Sequence, residues 1–499
     1  MVNVVCLGGK SVVIKKLQHI KIMTIKTRSY LFLLTIIVLI ACKKSNLPVE
    51  EAPVPDTETP VAPPPNDTSI IPPSATVLNL GTGSGYLSID GKALGLVQNT
   101  IIKIKGGTYN DIQISNITGG TTPIIIQNDG LVQLIGNKQI KLSNLNNVII
   151  SGNGTAGISR GFVFKDRTSD GACIQLNNSI NNFTLQNVSF QNITTYGVIQ
   201  YTPQTIYNGA ENSYSRNLKF LNIDCNNTGT FIRFRGSAQD NVIKGLIKDI
   251  EIAYVTFQNA RTVGSAVVLE SVDSYNIHHN YIKDINQDNN NHNGIFYLIG
   301  NGKFYNNYVK DHEGNAIRAW CFSLGTTPKE ILIFNNIVAN SRKYSAFELQ
   351  TFQRNLMPGK TTFVNARVFN NTCGNLLPKD NIFPAQILDF YGLLGGKCEI
   401  FNNLGYQFPL VGQNNTNPIW NQLGSSTLPI AYNNKYFKTY SEAGITDNVK
   451  FGLNSNSPAK AAGSSILKQN FDSTILKAAS VDYYGKARTV GTPSIGAVE

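Results

Sequence analysis

Short runs of alternating apolar and polar residues recur along most of the chain, and each run ends in Gly, Asn or Asp. Typical runs are IIKIKGGTY at 101–109, PIIIQNDG at 123–130 and VIISGNG at 148–154. A period of two residues with turn-forming residues at the ends indicates short β-strands that face a core on one side. The pattern therefore predicts an all-β fold that begins near Ala75.

The same pattern is repeated within the stretch Tyr275–Trp320. YNIHHNYIKD and NGIFYLI are followed by GKFYNNYVKD and GNAIRAW, and four of the five histidines lie here. Each copy contains a short strand, an Asn-rich corner, a second strand, a polar loop and a third strand. Internal repeats of this length indicate a solenoid. We therefore predict stacked coils of three strands each.

Asparagines mark the corner of each predicted coil. Asn tolerates the left-handed backbone region of a sharp corner, and stacked Asn side chains can hydrogen-bond from one coil to the next. The predicted corner column is Asn187, Asn222, Thr256, His279, Asn306, Asn335, Asn370 and Asn402, followed by the ladder Asn280, Asn307, Asn336, Asn371 and Asn403. In this register His278 and His279 belong to the corner and are interpreted as structural.

The third strand of each coil separates core positions from outward positions. Neighbouring coils lie about 4.8 Å apart, so outward residues form columns on one face. The first predicted column is Arg233, Val268, Tyr297, Arg318, Glu348 and Asp389, and the second contains Arg235, Glu270, Trp320 and Tyr391. Charged groups of both signs interleaved with aromatic rings suit a sugar chain, whereas an exposed ion-pair ladder is the structural alternative.

Three of these residues and one loop histidine carry the candidate chemistry. We predict Arg318, Glu348, Asp389 and His312 as catalytic, with His312 as the group for proton transfer near neutral pH. The predicted substrate-binding residues are Trp320, Tyr297, Glu270, Arg233, Arg235 and Tyr391. Trp320 could instead pack against a loop, and His292, in the polar run QDNNNHN, is expected to be solvated.

The N-terminal region predicts export. Leu31–Ala41 is apolar apart from Thr35, follows basic residues and is too short for a comfortable membrane span, which fits a signal peptide. Leu39-Ile40-Ala41-Cys42 resembles a bacterial lipobox, so Cys42 is the predicted lipidation site; a chance Cys after an ordinary signal is the alternative. The predicted parts are 1–42 signal peptide (with Met23 as an alternative start), 43–74 Pro-rich disordered tether, 75–430 solenoid, and 431–499 last coil and C-terminal cap.

Charge and cysteine usage narrow the class of partner. Of 43 Lys and Arg and 31 Asp and Glu, six basic residues fall in 1–42, and two basic and five acidic ones in 43–74. The predicted folded part therefore carries 35 basic and 26 acidic groups, which favours an anionic partner. No aromatic-plus-basic nucleic-acid motif is visible, so nucleic acid is not expected. Five widely spaced cysteines without CxxC favour core residues over disulfides or zinc.

The sequences of several segments resemble those of the pectin-lyase-like right-handed parallel β-helix superfamily. The resemblance rests on GGTY, on PIIIQN, on the asparagine ladder, and on a C-terminal pattern with SPA at 457–459 and IGAVE at 495–499 that is similar to the tails of exported bacterial β-helix proteins. It implies an all-β, right-handed parallel β-helix whose outward sheet binds a polysaccharide between loops.

Three functions remain open on this resemblance. The first is a lyase that cleaves an acidic polysaccharide by β-elimination, and the second is a glycoside hydrolase with paired carboxylates Glu348 and Asp389. The third is a glycan-binding or structural lipoprotein without activity. Some β-helix lyases depend on calcium, but no carboxylate cluster is clearly spaced for it, so a calcium cofactor is left open. We expect a monomer in the cell envelope, anchored to the outer membrane through Cys42.

Overall fold

The computed structural model describes residues 75–239, 242–288, 293–351, 361–376, 385–391, 393, 396–409, 417–422 and 428–499. All of them belong to one compact unit, Thr59–Glu499. The predicted signal peptide, Cys42, the tether and His292 lie outside the described residues, so the predictions made for them stay predictions.

Strands account for most of the ordered elements. In chain order they are β1 (Thr76–Leu80), β2 (Ser84–Asp90), β3 (Thr100–Thr118), β4 (Ile124–Ile135), β5 (Ile140–Ser151), β6 (Phe162–Arg167), β7 (Ile174–Ile193), β8 (Ile199–Tyr201), β9 (Ser215–Thr228), β10 (Ile232–Phe234), β11 (Ser237–Gln239), β12 (Val242–Lys244), β13 (Ile247–Ala253), β14 (Thr256–Ala260), β15 (Val267–His278), β16 (Tyr281–Ile285), β17 (Gly294–Tyr305), β18 (Tyr308–His312), β19 (Asn315–Cys321), β20 (Ser323–Leu324), β21 (Glu330–Phe334), β22 (Ile337–Ser341), β23 (Phe347–Thr351), β24 (Thr361–Thr362), β25 (Asn365–Phe369), β26 (Thr372–Leu376), β27 (Leu388–Phe390), β28 (Cys398–Phe401), β29 (Leu404–Tyr406), β30 (Trp420–Gln422), β31 (Ile430–Tyr432) and β32 (Lys435–Phe437). The helix α1 is Ser473–Ala479, and short 3-10 turns lie at Glu211–Ser213 and Ile466–Lys468.

The strands stack in parallel into three faces. Sheet A contains the starts of β7, β15 and β17 together with β8, β10, β19, β23, β27 and β30. β21, β25, β28 and β31 belong to sheet B, and β14, β16, β18, β22, β26, β29 and β32 to sheet C. Each coil passes from A to B to C, so the predicted parallel β-helix with three strands per coil is confirmed.

Left-handed backbone at single residues turns the corners. The predicted corner residues from Asn187 to Asn402 have φ between 51° and 60°, with one exception. At the third coil Tyr254, with φ of 57°, makes the corner, and Thr256 is already inside β14. The prediction for Thr256 was therefore wrong by two residues. A tyrosine at a corner breaks the Asn pattern, and only the pairing of Ala253 with His278 shows the true register.

The asparagine ladder is confirmed and continues one coil further than predicted. Each amide nitrogen donates to the amide oxygen of the next coil, at 2.9 Å from Asn280 to Asn307 and 2.9 Å from Asn336 to Asn371. The ladder ends at Asn434, which accepts from Asn403 at 2.9 Å. Because these groups are buried and paired, the ladder satisfies backbone and side-chain polar atoms that the corner would otherwise leave without partners.

Inward side chains fill the core along the whole helix. The predicted inward pairs, such as Phe296 with Leu298 and Phe347 with Leu349, are all at most 1% exposed. The five cysteines of the described region are buried and free, in agreement with their interpretation as small core residues. Apolar burial at this density is the main source of stability in a solenoid, because each coil buries its faces only against its neighbours.

The C-terminal segment packs along the side of several coils as well as following the last one. Phe471, just before α1, stacks on Phe369 at 5.2 Å between ring centroids. Further on, Arg488 donates to the Oδ1 atom of the corner residue Asn335 at 2.9 Å. The sequence predicted a cap over the C-terminal end of the β-helix. The structure shows that the segment also packs against the side of the β-helix. Among the described residues no helix has the length and apolar character needed to cross a membrane.

Candidate functional site

The outward column of sheet A has the register that the sequence predicts. Paired positions on successive coils are Gln175, Gln200, Arg233, Val268, Tyr297, Arg318, Glu348, Asp389 and Asn421. Adjacent members of a parallel ladder lie about 4.8 Å apart at the backbone. The column therefore brings arginine, tyrosine and carboxylate side chains together within a few coils.

Arg318 and Glu348 form the centre of the site. The Arg318 Nε atom donates to Glu348 Oε1 at 2.8 Å. The Glu348 side chain is completely buried although its strand position faces away from the core, whereas the Arg318 side chain keeps 20% of its surface exposed. Gln350, two residues along the same strand, also donates to Glu348 Oε1. The buried carboxylate thus holds the guanidinium in one place and leaves only the arginine in contact with solvent.

Asp389 and Tyr391 extend this centre by one coil. Asp389 is 6% exposed and pairs in register with Glu348. Burial raises the pKa of Tyr391 to about 12, and the negative charges of Glu348 and Asp389 act in the same direction, while Arg318 opposes them. Tyr391 is therefore protonated at neutral pH, and its hydroxyl can donate a hydrogen bond or a proton.

Towards the N-terminal coils the column carries a second basic group. The Arg233 guanidinium lies 3.9 Å from the ring centroid of Tyr196, a tyrosine with 57% of its surface exposed. Burial lowers the pKa of Arg233 from its ordinary value. In the neighbouring column Arg235 Nη1 lies 3.8 Å from Glu270 Oε1. Arg–aromatic stacking of this kind stabilises the arginine and orients its plane.

Trp320 lies beside Arg318 in the second column and is half-buried. In register it pairs with Ile299 on one side and Gln350 on the other. It packs against an apolar cluster of loop residues that includes Leu246 and Phe322. Its ring therefore forms part of the wall beside the column, which is the loop-packing role that the sequence left open, and its role in sugar contact stays a prediction.

The chain is similar in fold to solved structures of parallel β-helix lyases. No family model and no curated protein matches the chain. Solved structures similar to it include a PL6 family polysaccharide lyase from Pseudopedobacter saltans, 13% identical over 70% of this chain and 93% of that one with a TM-score of 0.32. They also include the PL6 family alginate lyase AlyGC, 14% identical over 68% of this chain and 53% of that one with a TM-score of 0.33. Neither similarity is close enough to assign a reaction or a residue's role.

His312 lies away from the column that was expected to use it. It is the last residue of β18 in sheet C, pairs with Ile285 and Ser341 in register, and is 0% exposed. Burial lowers its pKa to about 3. The expectation of proton transfer near neutral pH does not fit this environment, because an imidazole without access to solvent stays neutral and out of reach of a substrate.

The histidine doublet has the structural role predicted for it. His278 Nε2 lies 3.1 Å from Glu251 Oε1, and His279 Nε2 lies 3.0 Å from Asn306 Nδ2, with 2.8 Å between the two Nδ1 atoms. Burial, followed by the neighbouring His278, lowers the pKa of His279 to about 4. His279 thus takes the place of a corner asparagine, whereas His278 pairs in register with Tyr305 and stacks on its ring at 4.9 Å between centroids.

Two ion pairs near sheet A were not assigned roles from the sequence. Asp273 is 4% exposed and accepts from Lys329 Nζ at 2.6 and 2.7 Å. Glu313 is completely buried and pairs with Arg342. The residues of both pairs lie outside the outward columns, so the register of the third strands does not join them.

Calcium was left open as a cofactor. In the described part of the chain, no group of three or more His, Cys, Asp or Glu side chains converges in a way that could hold a metal ion. Glu348, Asp273 and Glu313 each have a basic partner at bonding distance. Because calcium requires several oxygen ligands, these engaged carboxylates do not fit a calcium site.

Proposed function

We propose that the protein binds an acidic polysaccharide along sheet A and cleaves it by β-elimination. The observation that supports this proposal best is the pair formed by Arg318 and Glu348. A completely buried carboxylate fixes a guanidinium that remains 20% exposed on the outward face. An arginine held in this way is suited to bind and neutralise a uronate carboxylate, because its planar fork matches a carboxylate and its position is set in advance.

Elimination also requires a base for the C5 proton and a donor for the leaving oxygen. Tyr297 and Arg318 are paired in register on adjacent strands, and Tyr297 is partly exposed, so its phenolate form is the acceptor that we propose for the C5 proton. Tyr391 is kept protonated by burial and by the carboxylates beside it, which suits a donor. His312 has no part in this scheme because of its burial.

A hydrolase with Glu348 and Asp389 as its carboxylate pair is the second candidate, since the two are adjacent in register. Such an enzyme needs one carboxylic acid and one carboxylate facing the same glycosidic bond. Glu348 is 0% exposed and accepts from both Arg318 and Gln350. The described arrangement therefore favours a positioning role for Glu348 and the lyase over the hydrolase.

The test is to incubate the purified protein with a panel of uronate-containing and neutral polysaccharides. Ultraviolet absorbance of an unsaturated uronate and new reducing ends are followed together. A lyase produces both signals with a uronate polymer, a hydrolase produces reducing ends alone, and a binding protein produces neither. We expect Arg318→Ala to lower cleavage at least 100-fold. Arg216→Ala is the control, because Arg216 forms an exposed pair with Glu211 at 2.9 Å in sheet B.

We also propose that the chain is an exported lipoprotein of the cell envelope, attached through Cys42 and held away from the membrane by the Pro-rich segment. The support is the apolar run before Leu39-Ile40-Ala41-Cys42 in the sequence. In a bacterial host, Cys42→Ala should abolish labelling with a radioactive fatty acid and move the protein out of the detergent phase. Cys6→Ala should change neither, and labelling that survives Cys42→Ala would refute the anchor.

A further inference from the structure

A cavity of about 470 Å³ opens beside the first coils of sheet A, at the corner that follows β7 and β8. Its size lies within the range of small-molecule sites. It lies between the end of β8 and the loop of residues 202–214, and Gln175 of the outward column contributes to its wall. The cavity therefore borders, at Gln175, the column that contains Arg318.

The lining of this cavity differs in charge from the rest of the column. The described residues that line it include no Asp, Glu, Lys, Arg or His. Amides and hydroxyls dominate, contributed among others by Asn177, Gln204, Thr205 and Asn212, with the ring of Tyr214 at one side. Such a set can donate to and accept from sugar hydroxyls, but the lining itself offers no cation to compensate a carboxylate. The ammonium of Lys248 lies outside the lining, 4.1 Å from the ring centroid of Tyr214 and 5.3 Å from that of Tyr207, and is held by these two rings.

The floor of the cavity is organised before any ligand binds. The Tyr201 hydroxyl donates to the carbonyl oxygen of Asn178 at 2.8 Å and lies 2.6 Å from Ser215 Oγ. Gln175 Nε2 donates to the carbonyl oxygens of Leu176 and Gln200 at 3.1 and 3.3 Å. A site with its polar groups already oriented loses less conformational entropy when a ligand binds.

The distance to the proposed catalytic centre follows from the register. From Gln175, which lines the cavity, the column passes through Gln200, Arg233, Val268 and Tyr297 to Arg318, which makes five coil steps. Five steps correspond to about 24 Å along the helix axis. A pyranose unit advances a polysaccharide by about the length of one coil step, so Gln175 lies about five sugar units from Arg318.

We propose that this cavity is a subsite for an uncharged pyranose, and that the substrate is a heteropolymer in which neutral sugars accompany the uronates. The proposal rests on the proposed function for its link to cleavage. Along the column the order is an uncharged cavity, then the arginine pair Arg233 and Arg235, then Arg318. A polymer of uronates alone would place a carboxylate in the cavity without a cation to receive it.

The test uses saturation-transfer difference NMR on the full protein with three neutral probes, cellohexaose, mannohexaose and xylohexaose. We expect at least one probe to give signals, and the double variant Gln204→Ala/Asn212→Ala to weaken its affinity at least five-fold. Both residues are exposed rim positions, so folding should be preserved. The control Gln191→Ala/Asn110→Ala removes two exposed amides remote from the cavity and should leave the affinity unchanged.

A second variant keeps the test decisive if the rim tolerates the loss of its amides. Asn177→Leu keeps the size of a half-buried wall residue and removes its hydrogen bonds, and it should also weaken binding. Absence of signal from all three probes, or equal affinity in wild type and both cavity variants, overturns the subsite. Arg318→Ala should leave the neutral probes bound while it weakens binding of a uronate hexasaccharide. If Arg318→Ala does not weaken binding of the uronate hexasaccharide, the proposed function is refuted, whereas the subsite proposal is unaffected.

Discussion

Removing one amide from the centre of the asparagine ladder should destabilise the protein far more than removing an amide from its surface. Asn336 is 0% exposed. Its Nδ2 atom donates to the Phe304 carbonyl oxygen and to Asn371 Oδ1, each at 2.9 Å. Its Oδ1 atom accepts from the backbone nitrogen and the amide of Asn307, at 2.9 and 3.1 Å.

The magnitude follows from these four hydrogen bonds. Each contributes about 1 kcal/mol net, and a buried donor left without a partner costs about 1–3 kcal/mol more. Asn336→Ala leaves the Asn307 backbone nitrogen without its partner, so we expect a loss of about 5–7 kcal/mol in the free energy of unfolding. That is a large fraction of the stability of an ordinary domain.

The assay is equilibrium urea unfolding followed by far-ultraviolet circular dichroism. Asn146→Ala is the control, because the half-exposed Asn146 accepts a single side-chain hydrogen bond, from Asn182 at 2.9 Å, and its loss should cost at most about 1 kcal/mol. If Asn336→Ala does not fold, Asn434→Ala at the partly exposed end of the ladder should give an intermediate loss. Equal losses for Asn336→Ala and Asn146→Ala would refute the reasoning, since burial would then not matter.

Three further outcomes are expected. The hydrogen bond from His278, assisted by Lys219, lowers the pKa of Glu251 to about 2 from 4.5. This carboxylate therefore contributes stability above pH 4.5 that is lost as the pH falls towards 2. Glu251→Gln should make the urea midpoint of unfolding less dependent on pH across that window, whereas Glu211→Gln, at an exposed position, should not. Burial lowers the pKa of His279 to about 4 from 6.5, so the unfolded state takes up the proton first and stability falls as the pH decreases from 6.5 to 4. His279→Asn, whose side chain suits a φ of 54°, should make stability less dependent on pH in this range. An unchanged pH dependence would contradict the attribution to His279. Arg488→Met removes a buried cation that donates to backbone oxygens of the C-terminal segment, and it should cost about 3–5 kcal/mol and make that segment sensitive to limited proteolysis, whereas wild-type resistance would argue against its lateral role.

Much of the fold could be predicted because its rules are local. Alternation with a period of two places Phe347 and Leu349 in the core and Glu348 on the outside. The observed pairing of Glu348 with Arg318 on one side and with Asp389 on the other agrees with that assignment. Asparagine at a corner is likewise a property of one residue's backbone. The prediction was wrong at Thr256, where a tyrosine makes the turn and the local signal is absent.

The sequence did not predict which outward residues are buried. Glu348 was expected to face a sugar, yet it is completely covered and serves to hold Arg318. His312 was expected at the site and lies instead within sheet C, with its pKa lowered by burial. Both outcomes depend on which parts of the chain cover a given strand, and this cannot be read from the strand itself.

The sequence by itself determined the repeating coil, the asparagine ladder and the order of side chains along the outward column, because each depends on residues within one coil and its neighbours. The tertiary structure decided which of those side chains meet solvent. It also placed Trp320 against loop residues near 246 and tied Arg488 to Asn335 across 153 residues. Such contacts arise from the packing of distant segments. Packing of this kind decides that Glu348 is buried, that Arg318 remains 20% exposed and that an uncharged cavity lies beside the same column.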